Sequence, residues 1–318
     1  RILISNTYMK TNSQYILFSG YTGFLYKSSD FLLVLIRTNY IMKTIKHVYD
    51  IYVMSIVEGG ILLTNTVEIM SVELVIAADP SIKIVQSIGS VLHGVLMEVV
   101  GTEYAGQLHE SGLRPYSQYI YFDKDKKQYI WRLSAVTADA VNRIVRPTLE
   151  ICEKIFLKQK RGHIYIKSRT ILEETCYEAL INKFWSSDSS YTQAKLHCMS
   201  TTSFKVDQQY TIFPEAFRIY RYLLRQWNQF STFGTMDADS LLDTFEKGVF
   251  IRDYNLRMGI YSLEGIKIRG FRGQIVMQFK RNIELQKILA LLSYYSQFTG
   301  LGIKTALGMG GVKCEIIE

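Results

Sequence analysis

The residues best suited to chemistry lie near the end of the chain, in the glycine-rich segment GLGIKTALGMGG at 300–311. Five of its twelve residues are glycine and one is lysine, Lys304. Glycine adopts positive φ without steric cost, and successive backbone N–H groups can hold phosphate oxygens. The spacing fits neither nucleotide-binding loop, because no Gly-Lys-Ser/Thr occurs and the segment follows a predicted helix instead of a strand. The pattern leaves two interpretations, a phosphate-binding loop and a turn that needs several left-handed residues.

Other side chains with catalytic or ligand chemistry are dispersed. The four cysteines are widely spaced and lack a CxxC pair, so we predict reduced thiols and no zinc site. The acidic residues Glu98, Glu103 and Glu110 do not form the paired carboxylate pattern of a two-metal nuclease. His163 and His197 are interpreted as packing residues. The sequence therefore predicts neither a metal nor a cofactor.

The charge balance favours an anionic partner. The formal net charge of the 318 residues is +8, which suits nucleic acid first and a membrane surface second. No apolar run approaches the ~18 residues that span a bilayer, and no secretory signal is evident. We expect a cytoplasmic protein without a membrane partner.

The N-terminal segment differs in composition from the rest. Between Arg1 and Met70 there is no Ala, Pro, Cys or Trp, and the apolar residues show little helix or strand periodicity. We interpret residues 1–69 as an extension outside the functional protein, which would begin at Met70. The alternative is a divergent segment that packs on the body.

The patterning from residue 70 onward predicts two similar units. Within 70–167 the order is β-α-β-β-α-β, with strands at 71–77, 118–122, 128–136 and 163–167 and helices at 84–100 and from Thr137 or Asp139 to about 157. Residues 168–318 predict a second such unit, with strands at 194–200 and 210–213, helices at 214–227 and 237–247, a β-rich stretch at 250–279 and a helix at 283–298. The fold class is therefore α+β, with two tandem ferredoxin-like (βαββαβ) domains.

An ordered set of motifs in these units resembles a known family, the CRISPR repeat-processing endoribonucleases of the sixth Cas family. The resemblance covers about Met70 to the C-terminus. It rests on the following segments: Leu92-His93-Gly94, Gln107 to Glu110, Arg114 to Ser117, Thr201 to Lys205, Phe213-Pro214, Trp227-Asn228, a Gly270-Phe271-Arg272-Gly273 turn and the terminal glycine segment.

The resemblance implies cleavage of CRISPR precursor RNA within its repeats, without metal, to give guide RNAs for antiviral defence. The 2′-hydroxyl attacks the scissile phosphate and leaves a 2′,3′-cyclic phosphate and a 5′-hydroxyl. His109 matches the catalytic histidine of the family, and Arg114 falls where the family often has lysine. The third position, a tyrosine in the family, is Met97 here. His93, one turn earlier, is our candidate for the missing group, and Tyr116 is a further one.

The implied partner is CRISPR repeat RNA, and other Cas proteins of an interference complex are a further expected partner. The alternative function is a catalytically inactive subunit that binds guide RNA in such a complex. Predicted RNA contacts are Lys205, Lys267, Arg269, Arg272, Gly300, Gly302, Lys304, Gly308 and Gly310, and Lys124, Lys126, Lys127 and Arg132 are further basic candidates.

Overall fold

The computed structural model describes residues 66–110, 112–186 and 189–318, except for the side chains of His109 and Glu110, together with short backbone strands in residues 1–63. The chain divides into two units, Arg1–Thr66 with Thr232–Gly234, and Val67–Ser231 with Thr235–Glu318. The strands of the first unit are β1 (Met9–Thr11), β2 (Gln14–Ile16), β3 (Thr22–Ser28), β4 (Phe31–Arg37), β5 (Asn39–Met42), β6 (Ile45–Tyr49), β7 (Tyr52–Val57) and β8 (Gly60–Leu63). The prediction that residues 1–69 are an extension concerns a segment that lies mostly outside the described residues.

The second unit begins with a five-stranded antiparallel sheet. Its elements are β9 (Ile69–Ala78), α1 (Ile88–Val100), α2 (Thr102–Glu110), β10 (Tyr116–Asp123), β11 (Gln128–Ala135), a helical stretch that contains α3 (Ala138–Ala140) and α4 (Arg146–Glu150), β12 (Lys154–Leu157) and β13 (Gly162–Thr175). The strand order is β10-β11-β9-β13-β12. Without the short edge strand β12, that is the order of a ferredoxin-like unit, as predicted. Most of the segment 103–114, for which we predicted no element, forms the helix α2.

Local chemistry sets the ends of these elements. Thr137 begins the helical stretch, because its side chain accepts a hydrogen bond from the N–H of Ala140 at 3.2 Å. A π-helical turn, Val141–Val145, precedes Pro147, which has no N–H to donate to a regular helix. The β10–β11 loop is closed by Asp123, whose Oδ1 accepts from the N–H of Asp125 and of Lys126.

The remaining residues repeat the same order of elements. They are α5 (Tyr177–Trp185), β14 (Gln193–Thr202), β15 (Lys205–Val206), β16 (Gln209–Tyr210), α6 (Ala216–Phe230), α7 (Ala238–Gly248), β17 (Val249–Leu263), β18 (Ile266–Phe279), α8 (Ile283–Thr299) and β19 (Val312–Ile317). The sheet order β17-β18-β14-β19 matches the order β10-β11-β9-β13 of the first sheet, which has β12 as an additional edge strand. The two tandem ferredoxin-like folds are therefore confirmed.

Two local predictions in this half are wrong. Gly270 to Gly273 is not a turn but part of the continuous strand β18, and the chain reverses instead at Glu264 and Gly265, which both have positive φ. The strand expected at 210–213 is only the two-residue β16, paired with β15. Gly270 is explained without a turn, because the backbone of Thr202 approaches it too closely for any side chain. Nearby residues in the sequence do not reveal this contact.

The helix α1 and the stretch Ala138–Glu150 cover one face of the first sheet, and the other face meets the second half, where the Ser117 hydroxyl donates to Phe298 O of α8 at 2.7 Å. Leu92 and Leu96 of α1 and Ile144 of the helical stretch pack against alternate strand residues such as Leu74 and Ile164. The glycine segment 300–311 lies where the two halves meet, because the buried Gln118 side chain donates to Ala306 O at 2.8 Å and to Gly89 O at 3.1 Å. This arrangement positions α1, α2 and the start of β10 together.

Candidate active site

A histidine–tyrosine pair lies where α1 faces the start of β10. His93 Nδ1 is 2.9 Å from the hydroxyl of Tyr116, and the two rings are nearly parallel, with an 8° angle and centroids 6.3 Å apart. His93 is half-buried, whereas Tyr116 is 1% exposed. Burial raises the pKa of the Tyr116 phenol, an effect that the nearby Arg114 opposes. The phenol is therefore neutral near pH 7 and can hold the imidazole in one orientation.

The helix that carries His109 packs beside this pair. Tyr104 and Leu108, four residues apart on α2, are both buried in the first core. His109 is the next residue in the last turn of α2, but its side chain lies outside the described residues. Burial, aided by the Asp139 carboxylate, raises the pKa of Tyr104 to about 12. The structure thus brings α2 close to the His93–Tyr116 pair without testing the role of His109.

Two cations border this region. Arg114 is partly exposed in the connection between α2 and β10, two residues before Tyr116. Arg143 lies with its guanidinium carbon 5.1 Å from the centroid of the Tyr104 ring and pairs with Asp139 at 3.1 Å. Arg143 was missed by sequence reasoning, because its helix is distant in the chain and arginines on a helix face are usually only solvated.

Met97, at the position of the family tyrosine, packs against the first core. A thioether cannot transfer a proton, so this position contributes packing. Among the described residues, the tyrosine hydroxyl within hydrogen-bond distance of His93 is that of Tyr116.

The glycine segment is mainly an internal element. Gly300 N–H donates to Ser296 O at 2.8 Å, Gly308 N–H to Thr305 O at 3.4 Å and Gly310 N–H to Thr201 O at 3.0 Å. RNA contact through the amides of these three predicted glycines is therefore not supported, because the N–H groups already have protein acceptors. Gly302 has no room for a side chain, since an added Cβ would lie 2.1 Å from Ser203 O.

Four predicted basic residues surround one apolar cluster. The cluster comprises Tyr261, Leu263, Ile268 and Met309, with Tyr210, Ile303 and Leu307 against it. Lys267 and Arg269 flank Ile268 in sequence, Lys304 follows Ile303, and Lys205 pairs with Tyr210 across β15 and β16. All four basic residues are exposed. The fold thus brings the three segments that carry these cations next to one cluster, and cations on neighbouring segments can contact successive phosphates.

Arg272 and Arg132 differ from that group. Arg272 is partly buried and lines a groove of about 470 Å³ with Gln86, Phe122 and Tyr129. Its Nη2 lies 3.4 Å from Met199 O, and burial lowers its pKa. Arg132 is 6% exposed and pairs with Glu73 at 3.7 Å. The expectation that Arg132 belongs to a basic surface is wrong, because the alternation of β11 turns it toward the opposing half.

Comparison with known proteins points to the same family as the sequence motifs. Residues 196–312 match the family model for CRISPR-associated endoribonuclease Cas6. A curated protein of that name from Streptococcus thermophilus is 24% identical over 230 residues, which cover 72% of this chain and 92% of the relative. One from Mycobacterium tuberculosis is 22% identical over 231 residues, 73% of each.

Solved structures share the fold. A Cas6 product complex aligns with a TM-score of 0.66 at 20% identity, over 78% of this chain and all of the other. Thermus thermophilus Cas6 aligns with a TM-score of 0.63 at 19% identity, over 79% of this chain. The family-model match and the curated relatives confirm the predicted resemblance to the CRISPR-associated endoribonucleases of the Cas6 family, and the solved structures show that the fold is shared.

Proposed function

We propose that the protein cleaves CRISPR precursor RNA within its repeats, without a metal ion, by attack of a ribose 2′-hydroxyl. The 2′-oxygen forms a bond to the adjacent phosphorus while its proton passes to a base, and the bond from phosphorus to the 5′-oxygen breaks as that oxygen gains a proton. The products are a 2′,3′-cyclic phosphate and a 5′-hydroxyl. This chemistry needs two proton-transfer groups and a cation beside the phosphate.

The observation that carries the proposal is the His93–Tyr116 pair beside α2. In the tautomer in which the Tyr116 hydroxyl donates to His93 Nδ1, the imidazole carries its hydrogen on Nε2 and can pass that hydrogen to the 5′-oxygen. His109 supplies the second proton-transfer group from α2, and Arg114 stabilises charge on the pentacovalent phosphate with its guanidinium group. Imidazole suits both transfers because its ordinary pKa is close to neutral.

RNA is held away from the cut by the four exposed basic residues around the second-half apolar cluster, Lys205, Lys267, Arg269 and Lys304. Two of the similar structures were solved as a product complex and a substrate-mimic complex, which supports nucleic-acid binding by this fold. Binding through phosphates predicts affinity that falls steeply with salt.

The test is cleavage of a labelled repeat RNA in EDTA, with the product ends identified. We expect a 2′,3′-cyclic phosphate from the wild type, and no product from His109→Ala even though this variant still binds RNA. Arg114→Ala should slow the reaction by roughly 10²-fold through lost charge stabilisation. A requirement for added metal would contradict the proposed mechanism, and tight binding without any cleavage would favour the inactive guide-RNA-binding subunit.

The role of His93 has its own test. His93→Ala and Tyr116→Phe should both lower kcat, and Tyr116→Phe should shift the pH profile because the imidazole loses a hydrogen-bond partner. If both variants cleave at the wild-type rate, the second proton-transfer group lies elsewhere.

A further inference from the structure

The first sheet has an unusual row of rings on the face that its helices do not cover. Along β12 and β13 the buried residues Ile155, Ile164 and Ile166 alternate with residues of this opposite face. Phe156 lies across from His163, with ring centroids 5.2 Å apart, and the His163 and Tyr165 centroids are 6.3 Å apart. Three consecutive rings thus form one row at the edge of the sheet.

The row is open to solvent. Phe156 is 54% exposed, and His163 and Tyr165 are partly exposed. A phenylalanine at this exposure on an edge strand gains little from packing, and next to two further rings it forms a surface suited to a flat ligand.

One carboxylate holds two of the rings in place. Asp79 Oδ2 accepts from the backbone N–H of His163 at 2.6 Å and lies 3.2 Å from His163 Nδ1, while Oδ1 accepts from the Tyr165 hydroxyl at 2.8 Å. Rings that are already fixed lose little conformational entropy when a ligand binds. The row is therefore organised before any partner arrives.

The charges around the row are mostly positive. Lys154 Nζ and Lys167 Nζ lie 5.9 Å and 5.4 Å from the Tyr165 ring centroid. The turn that joins β12 to β13 adds exposed Lys160 and Arg161. The acidic neighbours are Asp79, already engaged by the two rings, and the exposed Glu153 beside Lys154; Glu98 is paired with Lys158 at 2.7 Å. Rings interleaved with cations suit the bases and phosphates of a nucleic acid.

We propose that this row binds a single-stranded segment of the RNA, with a base stacked on Phe156 and phosphates near Lys154 and Lys167 beside Tyr165. The bases of a duplex are stacked on one another and have no free face, so exposed rings at this surface suit unpaired nucleotides. Ring faces do not read base edges, so the site tolerates any sequence.

This proposal rests on the proposed function only in taking RNA as the ligand. The candidate active-site residues pack on the helix side of the sheet, whereas the row lies on the other side. The site would therefore hold RNA that flanks the cut and would take no part in the chemistry.

The experiment measures binding of the full chain to fluorescein-labelled oligouridine, which is unstructured. Phe156→Ala should weaken binding about 5- to 150-fold, as expected for the loss of one stacked base, and Phe156→Trp should restore it. Phe250→Ala is the matched control, because Phe250 is 48% exposed on another sheet edge. Unchanged affinity in Phe156→Ala, or an equal loss in Phe250→Ala, would overturn the proposal.

Tryptophan fluorescence gives a second test, which reports on the position of the RNA relative to the row. RNA should quench the added tryptophan fluorescence of Phe156→Trp through stacking, and should quench that of Phe250→Trp much less. Lys167→Gln should reduce the slope of log affinity against log salt by about 0.7, the value for one phosphate of a single strand. Equal quenching in both tryptophan variants would place the RNA elsewhere.

The outcomes separate this proposal from the proposed function. Wild-type cleavage of repeat RNA together with unchanged oligouridine binding by Phe156→Ala would refute only the aromatic site. If the wild type does not cleave repeat RNA but its binding to oligouridine depends on Phe156, only the proposed nuclease activity would be refuted.

Discussion

Replacing Gly310 by alanine tests whether the glycine segment is a structural element. Gly310 has a φ of +67°, and an added Cβ would lie 2.1 Å from Leu301 O, where ordinary contact begins at 3.4 Å. Leu301 is fully buried, and its N–H donates to Gly310 O at 2.8 Å, so neither backbone can move without breaking this pair. The left-handed conformation costs an alanine about 1–2 kcal/mol. Overpacking adds about 1–3 kcal/mol.

We therefore expect Gly310→Ala to lower the free energy of unfolding by about 2–5 kcal/mol, measured by urea denaturation. The control is Gly265→Ala, at the β17–β18 turn, where φ is +82° but nothing lies within 4 Å of the added Cβ. That variant should lose only about 1–2 kcal/mol. Equal losses in the two variants would show that close packing around Gly310 does not contribute, and our account of the segment would be wrong.

Two further predictions concern buried or partly buried polar groups. Asp79→Asn should remove a pH-dependent part of the free energy of unfolding. Hydrogen bonds from the backbone N–H of His163 and from the Tyr165 hydroxyl hold the pKa of Asp79 below its ordinary 3.8. The stabilisation is therefore present above pH 4 and is lost as pH falls through the lowered pKa. Urea denaturation at pH 3 and pH 6 checks this, and a difference between wild type and variant that grows toward pH 3 would contradict it. Tyr177→Phe should lower the free energy of unfolding by about 1–3 kcal/mol, because the buried hydroxyl donates to Val136 O at 2.7 Å and lies 2.8 Å from the Tyr295 hydroxyl. Thermal denaturation measures this loss, and the cleavage rate per folded molecule should not change.

Much of the fold could be predicted because hydrophobic periodicity is a local property. The two βαββαβ orders, the cap at Thr137 and the hairpin after Asp123 all follow from residues close together in the chain. The prediction failed at Gly270 to Gly273, where Gly270 is instead required by the close backbone of Thr202 and Gly273 by that of Asn255, both on neighbouring strands. Residue type alone does not distinguish a turn from a close approach.

For the candidate site, too, some features could be predicted from the sequence and others could not. Individual residues such as His93, Arg114 and Lys304 could be selected from sequence, because their chemical types and neighbouring motifs are visible there. The partnership of His93 with Tyr116 could not, since the two are separated by 23 positions and meet only when α1 packs on the sheet. The assignment of His109 stays a prediction.

The sequence by itself determined the order of elements, the excess of positive charge and the glycine-rich segment that indicated the family. Only the tertiary structure decided which groups are available for chemistry. It buried Arg132 against Glu73, engaged the amides of Gly300, Gly308 and Gly310 inside the protein, and left Phe156 exposed. The physical reason is that exposure and hydrogen-bond partners depend on which distant surfaces meet, and local patterns do not contain that information.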